Sequence, residues 1–164
     1  VYKRIDDIDQ SSIYAFIREC GMIITEFCGG ASGPIWGSAF RAAALSVKDM
    51  TVLDLAGIAS MFSAAVAGIQ KTGGAQLGDK TLLDALIPAT HALEKAFDEG
   101  RSINEAFRAA AKAAHEGAEK TKAIVAKKGR ATYLGERSLN HPDAGAVAID
   151  VIFNELLKNR NSTK

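Results

Sequence analysis

SINEAFRAAAKAAHEGAEKTKAIVA, residues 102–126, reads as one long helix whose start is written into it. Ser102 followed three residues later by Glu105 is a capping box, in which each side chain takes an amide that the helix itself leaves unpaired. Ala109, Ala110, Ala111, Ala113 and Ala114 then leave room for another helix to approach closely. Toward the C-terminus, Asp143 caps a last helix bearing Val147, Ile149, Ile152, Phe153 and Leu156, and the polar tail from Lys158 is expected to fray. Toward the N-terminus, residues 81–97 form a helix in which Pro88 should impose a kink or open a new segment. Thr51 with Asp54 resembles a second capping box, for a helix over 52–70. Pro34 suits the first turn of a helix carrying Ile35, Phe40, Ala43 and Leu45 toward Ser46. Over 12–27, Ile13, Phe16, Ile17, Cys20, Ile23 and Ile24 share one face until Gly29 and Gly30 stop the helix. Strand-like alternation is scarce and prolines number only three, so the fold class is all-α.

A chain of 164 residues is enough for one domain with a real core. Its net charge of +1 gives no footprint for nucleic acid. Charge or glycine interrupts every apolar run before it reaches the length of a membrane span. The start, VYKRIDDIDQ, has no signal-peptide core, and Cys20 and Cys28 read as reduced thiols of a cytoplasmic protein. Translated chains begin with Met, so a segment is expected ahead of Val1.

Three glycine-bearing turns lead into helices: GGASG at 29–33, GGAQLGDKT at 73–81, and the long KGRATYLGERSLNHPDAG at 128–145. A helix N-terminus after glycine offers unpaired N–H groups and a positive dipole end, which suits phosphate. In GGASG, Gly29 and Gly30 let backbone approach a ligand and Ser32 adds a hydroxyl; a plain helix corner fits equally. No Gly-Lys-Ser/Thr ending follows, so it is not a Walker loop. In GDKT, Thr81 reads as a cap, and Asp79 and Lys80 either reach a ligand or, the better reading, are solvated. Arg130 has the planar fork that matches phosphate, and Glu136 with Arg137 can pair to hold the loop. Asp143 serves as cap, as acceptor for a ribose hydroxyl, or as both. Trp36 and Tyr133 read as packing aromatics beside the site, either of which could line an adenine pocket. His91 and His115 read as ordinary helix residues, and His141 is open to either role. Asp6, Asp7 and Asp9 lack metal-loop spacing and read as solvated charge.

GGASGPIWGSAF, GDKTLLDALIPA and KGRATYLGERSLNHPDAGAVA, in this order, resemble the L subunit of dihydroxyacetone kinase and the similar domain of single-chain dihydroxyacetone kinases. The resemblance implies one domain over 1–164, an antiparallel helical barrel with nucleotide held by interhelical loops at one end. It implies a phosphotransferase role. In the bacterial phosphotransferase-system versions that it resembles, ADP stays bound, a phosphohistidine-bearing M subunit recharges it to ATP, and the γ-phosphoryl passes to dihydroxyacetone held on a K subunit; the sequence leaves open whether the donor here is such a protein or free ATP. Gly30, Ala31 and Ser32 would hold phosphate, while Gly73, Thr81 and Leu82 would border the nucleotide. Arg130 would contact it, and Asp143, Ala144 and Gly145 would complete the pocket; the family often has proline at the place of Ala144. Family Mg²⁺ ligands belong to an acidic loop that would precede this sequence, so no metal ligand is assigned here and the first barrel helix is expected to be missing. On that ground the 164 residues alone are expected to be inactive. The alternative is a shortened, non-catalytic paralogue acting as a docking or regulatory module.

Overall fold

The computed structural model describes residues 2–162, with side chains described over 4–159. The expectation attached to Val1, and the last two residues of the expected frayed tail, lie outside the described residues. The chain divides into two compact units, Val1–Gly74 and Ala75–Lys164. Every regular element among the described residues is helical.

In the first unit, a 3-10 segment at Tyr2–Asp7 precedes α1 (Ile13–Phe27), α2 (Ser32–Ser46) and α3 (Leu55–Gly73). Ser12 caps α1 by accepting the Ala15 amide at 3.0 Å. Ile8, Cys20 and Ile23 are buried together, with Phe16 and Phe40 packed against them, so the face read from the sequence does meet a core. Burial raises the pKa of the Cys20 thiol, Cys28 is exposed, and both cysteines are free. The capping-box reading at Thr51 is corrected. Asp54 is itself the cap and accepts the Gly57 amide at 2.8 Å, so α3 starts at Leu55 and leaves Val52 exposed. Ser38 then ties α2 to α3, donating to the Ile35 carbonyl and toward that of Gly68.

In the second unit, α4 (Leu83–Asp98), α5 (Ile103–Lys120) and α6 (Ala144–Ser162) pack around Leu83, Leu93, Ala110, Ala114, Ile149 and Phe153. The capping box at Ser102 and Glu105 is present in both halves. Three expectations change. Pro88 does not open a new segment but lies inside one continuous α4. Its missing N–H frees the Asp84 carbonyl, and that oxygen fills the place where a side chain of Gly117 on α5 would stand. The α5 helix stops at Lys120 rather than near 126. Thr121 begins a 3-10 turn, its hydroxyl donating to Ala118 O and its carbonyl accepting from Lys80. The tail from Lys158 continues α6 as far as Ser162.

His115 on α5 meets Asp150 on α6, Nδ1 to Oδ2 at 2.9 Å. The hydrogen bond and then the charge of Asp150 hold the imidazole pKa above its ordinary value. A raised histidine pKa stabilises the fold fully below about pH 6.5 and ceases to do so as pH climbs through the folded value. His115→Gln should therefore melt below the parent protein at about pH 5.5 and alongside it at about pH 8. A gap that stayed constant across that range would remove histidinium from the account.

Candidate functional site

The first unit presents the GGASG turn at the start of α2. Cys28 closes α1, its amide donating to the Ile24 carbonyl at 2.9 Å. Gly30 takes φ 66°, which turns the chain back, and Gly33 is buried because a side chain there would strike the Cys28 carbonyl oxygen. Ala31 and Ser32 stand exposed above it. No side chain caps this helix start. Ser12, Asp54, Ser102 and Asp143 each accept an amide at the starts of α1, α3, α5 and α6, whereas no side chain among the described residues caps α2, which leaves the Ser32 and Gly33 amides ahead of Pro34, itself without an N–H. Gly73, the last residue of α3, comes close to α2; a Cβ there would lie 2.8 Å from Ile35 Cδ1. Trp36 is half-buried on the next turn of α2.

The first unit also has an open groove of 650 Å³ on α1 and α2, lined in part by Tyr14, Arg18, Met22 and Arg41. It contains none of the residues implied for nucleotide. The GGASG turn carries the donors that phosphate needs, so the helix start has the stronger chemical claim.

The second unit gathers three of its expected residues. The Cβ position of Gly145 is closed by Asp143 Oδ2 and Leu82 Cβ, both at 3.0 Å, so Leu82, Asp143 and Gly145 touch. Asp143 caps α6 by accepting the Ala146 amide at 2.8 Å, and its own amide donates to Thr121 Oγ1 at 2.8 Å. Burial raises its pKa, the Ala146 and Gly145 amides oppose that, and nearby Asp84 and Lys80 act in opposite directions. Thr81 lies beside them, its hydroxyl accepting the Leu83 amide at 3.2 Å. Ala144 is exposed. Arg130 opens the 3-10 segment Arg130–Ser138; its guanidinium is exposed and has no ion-pair or hydrogen-bond partner among the described residues.

Asp79 is half-exposed, and both readings of Lys80 are corrected. Asp79 Oδ2 accepts the Gln76 amide at 2.9 Å, and its carbonyl accepts that of Lys127. Lys80 is only 3% exposed, neither solvated nor reaching outward. Its ammonium donates to the carbonyls of Thr121, Ser138 and His141, each at 2.7 Å. Tyr133 is 87% exposed rather than packed into a core. Glu136 and Arg137 are exposed and, among the described residues, form no ion pair with each other. His141 contributes its carbonyl, and its side chain is exposed.

Sequence reasoning missed Asp84, whose buried carboxylate accepts the Gly78 and Thr81 amides, each at 2.7 Å. The signal was present. Thr81 and Asp84 have the spacing of a capping box, and Asp84 completes its carboxylate half. Among the described residues, no three His, Cys, Asp or Glu side chains are grouped to hold a metal ion.

One all-helical unit presents an uncapped, glycine-led helix start, and the other presents a capped helix and an exposed guanidinium; each fits a class of helical proteins with anion-receiving loops. The family model of the DAK2 domain matches residues 1–158. The chain belongs to the DAK2 domain family. Similar to it is the ADP-binding subunit DhaL of PEP-dependent dihydroxyacetone kinase 2 from Listeria innocua, 36% identical over 97% of this chain and 74% of that one. The ADP-binding subunit DhaL from Escherichia coli is 34% identical over 91% of this chain and 71% of its own length. The crystal structure of the C. freundii dihydroxyacetone kinase, native form, matches with a TM-score of 0.68 at 25% identity. That match covers 91% of this chain and 24% of the solved one.

Proposed function

We propose that this chain is the nucleotide-carrying subunit of a dihydroxyacetone kinase, acting as one cytoplasmic domain over 1–164. It holds ADP, is recharged to ATP by a phosphohistidine-bearing M subunit, and delivers the γ-phosphoryl to dihydroxyacetone on a K subunit. The observation that carries this is the uncapped, exposed start of α2 at Ala31 and Ser32. Open amides at a helix N-terminus receive phosphate without any side-chain charge, and the helix dipole adds to the attraction.

The residues divide by task. Gly30, Ala31 and Ser32 receive phosphate oxygens, and Gly73 borders the nucleotide. In the second unit, Thr81, Leu82, Ala144 and Gly145 line the ligand, Asp143 accepts from a ribose hydroxyl, and Arg130 clamps phosphate. Transfer breaks the bond from the γ-phosphorus to the β,γ-bridging oxygen and forms one to a dihydroxyacetone hydroxyl oxygen, which loses its proton. Such transfers rest on positioning and on neutralising phosphate charge rather than on covalent work by the protein. Mg²⁺ is expected for this chemistry, but the described residues supply no ligand set for it and no step is assigned to it. No helix among the described residues is long and apolar enough to cross a membrane.

Titration calorimetry with ADP tests the reading. One nucleotide should bind per chain, and Arg130→Ala should weaken it about 10- to 100-fold with far-UV circular dichroism unchanged, the usual worth of a charge-assisted hydrogen bond. Unchanged affinity would take Arg130 out of the site. No ADP binding by the unaltered protein would leave the docking-module reading in its place.

A further inference from the structure

We infer that Lys80 is a positioning residue of the nucleotide site, a buried clasp that holds the Arg130 loop and the start of α6 in register with the Gly78–Thr81 turn. The inference rests on the nucleotide function proposed above. Lys80 adopts φ 62°, a left-handed conformation that a lysine takes only when its surroundings compel it. Its ammonium is out of water, where an unpaired charge is not tolerated. All three of its N–H donors are used, on the carbonyls of Thr121, Ser138 and His141.

Those three carbonyls are the anchor points of one segment. Thr121 follows the end of α5, Ser138 ends the 3-10 stretch that begins at Arg130, and His141 comes two residues before the α6 cap Asp143. Further bonds repeat the closure. The Asn140 amide donates to Lys122 O at 2.8 Å, the Ala126 amide to Ser138 Oγ at 3.1 Å, and the Asp143 amide to Thr121 Oγ1. Between the anchors most of 127–137 is exposed, with Arg130 unpaired among the described residues. On the other side of Lys80, the Asp84 carboxylate fixes the Gly78 and Thr81 amides. One ammonium thus spans the expected nucleotide residues of the second unit. It touches no phosphate, because nothing of it is left to do so.

Lys80→Met keeps the bulk and deletes the donors, so the Ser138 and His141 carbonyls lose their ammonium partner and that of Thr121 keeps only the Ile124 amide. Lys80→Gly deletes them too but suits the left-handed backbone, so it remains informative should the methionine variant fail to fold. Two readouts are taken. Trypsin cleavage within 127–137, which offers exposed Lys127, Lys128, Arg130 and Arg137, should accelerate about tenfold or more, as expected when a local closure is lost while helicity persists. ADP affinity should fall about tenfold, and the same change made on an Arg130→Ala background should cost clearly less, the signature of two residues acting through one contact. Unchanged cleavage in both variants overturns the clasp. Faster cleavage with unchanged ADP affinity, or with full additivity toward Arg130→Ala, overturns the positioning role. Failure of the unaltered protein to bind ADP would instead sink the nucleotide reading, and cleavage alone would then decide whether the clasp exists.

Discussion

Phe153→Ala should lower the stability of the second unit by about 3–5 kcal/mol, with a fall in melting temperature on the order of 10 °C or more. Phe153 has no exposed surface and lies on α6 with its ring centroid 6.5 Å from that of Phe107 on α5, the planes tilted by 41°. Offset aromatic pairs of this kind add to the free energy of simple burial. Much of the α5 and α6 contact surface is alanine, so no longer side chain nearby can swing in to fill the space. That places the expected loss toward the upper end of the range for such truncations. The effect should extend beyond stability, because α6 begins with the Asp143–Gly145 start that touches Leu82. Phe153→Leu retains most of the volume and should cost about 1–2 kcal/mol. Thermal unfolding followed by circular dichroism checks both variants. A loss below about 1 kcal/mol for the alanine variant would mean that the helices close the cavity themselves, contrary to the packing described here.

What was legible in the sequence was mostly local. Ser102 with Glu105, and Asp143, are readable because a cap is satisfied within three residues of itself, and each acts where the sequence places it. Asp54 was misjudged because Thr51 and Asp54 fit two caps three residues apart, and only the direction of the Gly57 amide separates them. Lys80 was illegible for the opposite reason. A lysine between aspartate and threonine in a glycine turn looks solvated, and its burial is decided by carbonyls 41, 58 and 61 residues further on. The same holds for the end of α5, where Thr121 leaves a favourable alanine-rich pattern because its carbonyl and hydroxyl are engaged by Lys80 and Asp143. In the second unit the contact of Leu82 with Asp143 and Gly145 was within reach through motif resemblance, whereas the carboxylate that holds the turn, Asp84, was visible only as a spacing.

Gly117 looks in the sequence like one more residue of an alanine-rich helix, yet its replacement should be among the most damaging single changes in the chain. By helix propensity alone, Gly117→Ala ought to stabilise α5 by about 1 kcal/mol. The tertiary structure reverses the sign. A Cβ at this position would collide with the Asp84 carbonyl oxygen and stand 2.9 Å from Ala85 Cα. Both obstacles are backbone, so no rotamer change relieves the overlap and α4 and α5 must separate. Overpacking costs about 1–3 kcal/mol, and with backbone as the obstacle the upper end applies, so against the propensity gain of about 1 kcal/mol Gly117→Ala should still lose about 2 kcal/mol. Gly117→Val adds bulk and removes the propensity gain, so its loss should reach about 3–4 kcal/mol. Asp84 supplies the link to function. Its carbonyl, released from the helix ladder by Pro88, faces Gly117, while its carboxylate holds the Gly78 and Thr81 amides. Displacing α4 at Asp84 therefore disturbs the turn that carries Lys80, and ADP affinity should decline together with melting temperature. Paired measurement of the two on Gly117→Ala decides the matter. A variant as stable as the parent would show that the helix crossing has slack, and one that was destabilised with ADP affinity intact would separate the crossing from the site.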